Sequence, residues 1–254
     1  MMTNATAEES LSKVPALTFV FWMIKIAATT FGETAGDAVS MSMNLGYLLS
    51  TAIFAAVFLL AVTCQIKACK FHPVIYWATI IATTTVGTTL ADFADRSLGI
   101  GYAGGSALLF TLLMGSLAVW YWSSGSVAIS SISTPKAEMF YWLTIMFSQT
   151  LGTALGDWTA DSAGLGYSGS ALIFGGSLVV MAALYFLTKI SRTALFWAAF
   201  ILTRPLGAVV GDFLDKPVDH GGLALSRYTA SAILLVFIVG CLVSFRHKAA
   251  SKAH

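Results

Sequence analysis

A short segment that ends in an aspartate recurs four times along the chain. In every copy a glycine is followed, after three residues, by a second small residue and then by the aspartate. The four aspartates are Asp37, Asp92, Asp157 and Asp212. They are 55, 65 and 55 residues apart, and an offset of 120 residues links the first to the third and the second to the fourth. Equal offsets of this kind predict two successive duplications of one structural unit.

The hydropathy of the chain predicts two membrane spans in each unit. Of the 254 residues, 57% are apolar and only 10% are charged, whereas soluble domains carry about a quarter charged residues. A helix of ~20 apolar residues crosses the ~30 Å hydrocarbon layer of a bilayer. Eight stretches qualify, at residues 15–37, 46–66, 73–93, 103–122, 138–158, 168–188, 194–213 and 228–245.

The predicted fold is therefore an all-α membrane protein with eight transmembrane helices. Because each unit has an even number of spans, the four two-helix repeats are parallel and are related by a pseudo-symmetry axis along the membrane normal. The expected division is an arm at 1–14, repeats at 15–68 and 69–122, a polar linker at 123–137, repeats at 138–188 and 189–246, and a tail at 247–254.

The distribution of charge predicts the orientation in the membrane. Nine lysines and arginines fall on the side of the two termini and three on the other side. The positive-inside rule then places both termini, the linker and the tail in the cytoplasm, with a bacterial inner (plasma) membrane as the expected location. A net charge of +2 supplies no basic face for nucleic acid. No nucleophile–base or nucleotide-binding motif stands out, so we do not expect an enzyme.

Every unit carries two acidic residues three or four positions apart, a spacing that puts both on one face of a helix. The eight are Glu33, Asp37, Asp92, Asp95, Asp157, Asp161, Asp212 and Asp215. Five cations lie nearby: Lys25, Arg96, Arg204, Lys216 and Arg227. Because buried anions need neutralising partners, the deficit predicts protons or bound cations at a shared centre. The alternative is that the aspartates cap the outer helix ends in contact with water, while the glycines serve helix packing alone.

The oxygen-rich composition of these segments favours a hard divalent cation. Carboxylates and threonine hydroxyls suit Mg²⁺, Ca²⁺ or Mn²⁺, and manganese is the best candidate. We expect no permanently bound cofactor, the cation being the transported ligand. Candidate substrate or gating residues are Lys25, Arg204, Thr30, Thr85 and Thr150. The tryptophans near the span ends are expected to be interfacial anchors; they are Trp22, Trp77, Trp120, Trp122 and Trp142.

Two resemblances follow from these motifs. The four-fold Gly-x-x-x-Gly-Asp pattern, with Ala91 replacing one glycine, and the trailing Leu-Gly-Tyr element resemble a family of bacterial integral membrane proteins with a repeat of unknown function, usually in four copies. That resemblance covers about residues 15 to 246 and implies an eight-helix membrane protein. Locally, the segment from Glu33 to Ser40 is similar to the Glu-x-Gly-Asp motif of manganese and calcium exchangers, with one extra residue before the glycine.

The leading functional hypothesis is a proton-coupled transporter or exporter of a divalent cation, because metal and protons compete for the same carboxylate oxygens. A proton-coupled transporter of a small organic or cationic solute is the second. A non-transporting membrane scaffold or sensor is the third. The expected partners are membrane lipid, the ion or solute and protons; a homodimer is left open.

Overall fold

The computed structural model describes residues 12–132 and 134–250. The remaining parts of the expected arm, linker and tail (residues 1–11, 133 and 251–254) lie outside the described residues. Within the described ranges the chain forms eight long helices. They are α1 (Phe19–Asp37), α2 (Gly46–Lys67), α3 (Pro73–Asp92), α4 (Tyr102–Ser124), α5 (Pro135–Asp157), α6 (Gly166–Leu187), α7 (Arg192–Asp215) and α8 (Arg227–Ser244).

Each of the eight predicted spans corresponds to one of these helices, and the predicted all-helical fold is confirmed. Six of them, α2, α3, α4, α6, α7 and α8, are long and apolar enough to cross a membrane. The two others, α1 and α5, begin repeats one and three and are largely buried. The chain thus has the helices of a multi-pass membrane protein.

Four inner helices form a closed ring, since α1 contacts α3, α3 contacts α5, α5 contacts α7, and α7 contacts α1. An outer helix covers each junction. The outer helix of each unit packs on the inner helix of the next unit: α2 on α3, α4 on α5, α6 on α7, and α8 on α1. The inner helices bury threonines, glycines and acids, whereas the outer helices expose apolar side chains. This order gives the bundle a pseudo-four-fold axis.

The first glycine of each repeat explains how closely the inner helices approach. A Cβ atom at that glycine would lie only 1.6–3.0 Å from the residue that is eight positions before the aspartate of the next unit. The four contacts are Gly32 with Thr84, Gly87 with Gln149, Gly152 with Arg204, and Gly207 with Thr29. The last contact returns to the first unit, so the same small-residue packing closes the ring.

The inner helices do not end at the repeat aspartates. After Asp37, Asp92 and Asp157 the chain continues through a π-helical turn, at Ala38–Ser42, Phe93–Ser97 and Trp158–Ser162. The hypothesis that these aspartates cap helix ends in water is therefore wrong for these three residues, which are also buried. Turns of this kind occur frequently at functional sites.

The glycine of the Leu-Gly-Tyr element begins the outer helix in three units. Gly46, Gly101 and Gly166 have φ angles of 73°, 75° and 64°, a backbone conformation that residues with a Cβ rarely adopt. The repeated glycine thus reflects the tight return from an inner to an outer helix.

Aromatic side chains close the bundle at the end opposite the aspartates, here called the aromatic end. Phe21, Tyr76, Tyr141 and Phe196 lie sixteen residues before the four aspartates and are all buried. The hydroxyls of Tyr76 and Tyr141 are 2.7 Å apart. The prediction of interfacial anchors is wrong for Trp77, Trp120 and Trp142, which are buried among these rings, whereas Trp122 is 84% exposed.

The two ends of the described chain also meet at the aromatic end. The amide of Ala16 donates to the carbonyl of Lys248, and that of Ala250 donates to the carbonyl of Val14. The ammonium of Lys13 lies 2.6 Å from the carboxylate of Glu138. Residues 12–14 are thus held against the start of α5, where Thr134 caps the helix four residues before the span predicted from the sequence.

We predict that Gly32→Ala destabilises the protein by about 1–3 kcal/mol, the usual effect of overpacking, because the new methyl group would overlap the buried Thr84. Thermal unfolding in detergent measures this. The control is Gly115→Ala on α4, where a Cβ meets nothing within 4 Å and helix propensity favours alanine. Equal melting temperatures for the two variants would contradict the proposed ring closure.

Candidate functional site

A column of buried residues runs along the axis of the inner ring. Successive helical turns place one residue from each unit at the same level, and we name these levels by their charged members. The aspartate layer consists of the four repeat aspartates, and the glutamate layer, four residues earlier, of Glu33, Thr88, Thr153 and Ala208. The arginine layer consists of Thr29, Thr84, Gln149 and Arg204, and the lysine layer of Lys25, Ile80, Ile145 and Phe200. None of these residues is more than 4% exposed.

Arg204 crosses the axis and joins three helices. Its Nη2 atom lies 2.9 Å from Glu33 Oε2 and 2.6 Å from Thr88 Oγ1, and it also contacts the hydroxyl of Thr153. These partners are the members of the glutamate layer on α1, α3 and α5. The pairing of Arg204 with Glu33 reduces the cost of burying both charges, and it shows that the layers converge on one centre.

Two cations divide the aspartate layer into two pairs. Arg96 bridges Asp92 at 2.9 Å and Asp157 at 3.3 Å. Lys216 bridges the other two aspartates, Asp212 at 2.9 Å and Asp37 at 2.6 Å. Arg96 and Lys216 are 120 residues apart, so the pairing follows the longer sequence repeat. The charges therefore have two-fold symmetry where the backbone has four-fold symmetry.

Further charges strengthen the second pair. Arg227, at the start of α8, lies 3.0 Å from Asp215 and 3.7 Å from Asp37. Burial lowers the pKa of Lys216, but the carboxylates of Asp212, Asp37 and Asp215 more than offset this effect and raise its pKa above the usual value. Lys216 thus keeps its positive charge at neutral pH.

One group of buried carboxylates is close enough together to hold a metal ion. Glu33, Asp37 and Asp212 each offer an oxygen, and these oxygens lie within 4.8 Å of one another. All three residues are buried at the junction of α1 and α7. Carboxylate oxygens are the donors that hard cations prefer.

The protein-family model described as Repeat of Unknown Function (DUF347) matches the chain four times, at residues 20–70, 75–126, 140–191 and 195–247. These matches cover most of the chain. The chain belongs to the DUF347 family. No curated protein and no solved structure matches it. Each DUF347 match contains one inner helix, one repeat aspartate and one outer helix.

The DUF347 repeats do not bring all eight predicted acids to one centre. The four repeat aspartates and Glu33 converge on the axis, and Asp215 joins them through Lys216 and Arg227. Asp95 is buried beside Gly105 in the first turn of α4, and Asp161 is exposed. The second acid of the unit therefore takes a different place in repeats two and three.

The threonines predicted to be substrate or gating residues are buried, and their hydroxyls form hydrogen bonds within their own helices. The hydroxyls of Thr30, Thr85 and Thr150 each donate to the carbonyl one helical turn earlier. The threonines that face the centre, Thr88 and Thr153, are found instead by counting four residues back from the aspartates. Counting eight residues back from Asp157 identifies Gln149, which was not among the residues predicted from the sequence.

The charges of the ion-paired groups at this end of the protein nearly balance. Four cations contact six carboxylates through the ion pairs described above. The cations are Arg96, Arg204, Lys216 and Arg227, and the acids are Glu33, Asp37, Asp92, Asp157, Asp212 and Asp215. With every group ionised, two negative charges remain, which is the charge that one divalent cation would neutralise.

We predict that Arg204→Met lowers the free energy of unfolding by about 3–5 kcal/mol, because it leaves the carboxylate of Glu33 buried without a charged partner. Removing both charges, in Arg204→Met with Glu33→Gln, should restore most of that loss. Chemical denaturation in detergent measures both variants. A double variant as unstable as the single one would show that the pair does not interact across the axis.

Proposed function

We propose that this protein is a proton-coupled transporter or exporter of a divalent metal cation, with manganese the best candidate. The observation that carries the proposal is the group formed by Glu33, Asp37 and Asp212. Ca²⁺ holds its oxygen ligands at about 2.3–2.6 Å. Two oxygens on opposite sides of such an ion are therefore ~5 Å apart, so oxygens within 4.8 Å of one another can share one ion.

For a metal cation to bind to these three carboxylates, it must replace the side-chain cations that are paired with them. Arg204 holds Glu33, and Lys216 holds both Asp37 and Asp212. These side chains act as tethered cations that occupy the site when no ion is present and withdraw when one enters. The exchange preserves charge neutrality in a buried place, where an unpaired charge is costly.

The other half of the ring offers a poorer site. The offset of 120 residues relates Asp37 to Asp157 and Asp212 to Asp92, but Glu33 corresponds to Thr153, which brings no charge. Arg96 bridges the two aspartates there, and a guanidinium stays charged at any accessible pH. The proposal therefore assigns one exchangeable ion to each chain.

The column suggests a route from one side of the membrane. Polar layers extend from the aspartates to the level of Lys25, and buried aromatic rings follow. The excess of lysine and arginine on the side of the termini supports an orientation with the aspartates on the outer face of a bacterial inner membrane. Transport then requires the aromatic end to open while the aspartate end closes.

A second candidate is a proton-coupled transporter of a small organic or cationic solute. The ion pairs favour it, because four cations already neutralise most of the six carboxylates and the acids would need to carry only protons. Solute uptake that responds to a proton gradient in metal-free buffer would favour this candidate over the first.

We predict that purified protein binds Mn²⁺ saturably at neutral pH and that Asp37→Asn abolishes the binding. Calorimetric titration with Mn²⁺ measures it. The matched control is Asp157→Asn, the same substitution at the equivalent position of the third repeat, which should retain the binding because Arg96 occupies that half. Equal affinities in the two variants would contradict the assigned site.

We also predict that Lys216→Met raises the affinity for Mn²⁺ by about tenfold, equivalent to about 1.4 kcal/mol, because it removes the cation that competes for Asp37 and Asp212. Competition titration against a chelating dye measures the change. If these acids served only packing, the same variant would lose stability and gain no affinity.

A further inference from the structure

Lys25 is a buried lysine that the proposed metal site does not use. It lies on α1, three helical turns before Asp37, and none of its surface is exposed. Its ammonium sits 4.1 Å from the centre of the Phe200 ring. Among the described residues it has no hydrogen-bond partner, and no carboxylate lies within 4.0 Å of it.

The charged groups around Lys25 come from few elements. On α7, Arg204 lies one turn from Phe200, and on α1 itself Glu33 lies two turns further along. At the aromatic end of α3 the ionisable side chain is Tyr76, whose hydroxyl is hydrogen-bonded to that of Tyr141. The ionisable groups that α8 brings are Arg227 and Tyr228 at its start and Cys241 near its end, and none of them lies in the middle of the helix.

The protonation of Lys25 therefore depends on how well Arg204 is neutralised. Burying an unpaired ammonium is costly, and the Phe200 ring offsets only part of that cost. In the structure, Glu33 balances the charge of Arg204. When a divalent cation binds to Glu33, the guanidinium of Arg204 loses its ion-pair partner. Arg204 and a protonated Lys25 are then two positive charges in adjacent buried layers.

We propose that Lys25 is the proton-coupling residue: it releases one proton when a divalent cation binds to Glu33 and takes one up when the cation leaves. The proposal rests on the proposed function of the same site. The balance is simple, since the N–H bond of the ammonium breaks, the electron pair stays on nitrogen, and the proton leaves toward the acidic end. Thr29, Thr84 and Gln149 lie along that part of the column.

The test counts protons released for each Mn²⁺ bound. Purified protein in weakly buffered detergent is titrated with Mn²⁺ from about pH 5 to about pH 9, the range in which a desolvated lysine can titrate, with a pH dye as the readout. We expect Lys25→Met to bind Mn²⁺ at least as tightly as the original protein but to release up to one proton fewer. The matched control is Ile145→Met, at the equivalent position 120 residues later, which should leave the count unchanged.

The conservative variant gives a second readout that a packing role would not produce. Lys25→Arg carries a charge that cannot be lost, so it should bind Mn²⁺ about tenfold more weakly than Lys25→Met. A structural role predicts the reverse order. Equal proton counts for Lys25→Met and the original protein at every pH would overturn the inference while leaving the metal site intact. Absence of Mn²⁺ binding by the original protein would overturn the proposed function as well.

Discussion

The close approach of four polar helices around one axis is the constraint on which the rest of the structure depends. Glycines placed identically in each unit let every inner helix touch the next, and the contact of Gly207 with Thr29 closes the ring. Buried side chains of equivalent sequence positions must then meet at common levels. Ion pairing follows from this geometry, because charges forced together in a membrane interior need partners. The outer helices present apolar surface and seal the junctions.

The symmetry of the charged side chains decreases along the axis from the aspartate layer toward the aromatic end. The backbone and the aspartates repeat four times, whereas Arg96 and Lys216 repeat only twice. In the interior, single residues break the pattern: Glu33, Arg204 and Lys25 each stand where the other units have uncharged side chains. The duplicated units supply the frame, and their divergence at equivalent positions creates one distinct site on the axis.

Much of this architecture could be predicted from the sequence, because hydropathy and the repeat register are local properties. The eight spans agree with the eight helices of the described ranges, and the aspartates do converge. What could not be predicted is the neighbour of each helix, since nothing in the spacing shows that α2 packs on α3 rather than on α1. The same limit applies to Trp77, which is buried by tertiary packing, and to Asp161, which the π-helical turn leaves exposed. Counting turns back from each aspartate would have found Gln149.

Ion flux tests the central claim most directly, because transport requires both the metal site and its coupling to protons. Proteoliposomes that contain the protein and an internal pH dye are exposed to external Mn²⁺ with the membrane potential clamped. The account predicts saturable Mn²⁺ entry accompanied by a rise in internal pH, both of which are lost in Glu33→Gln. Mn²⁺ entry no faster than in protein-free vesicles, or entry without any change in internal pH, would contradict it.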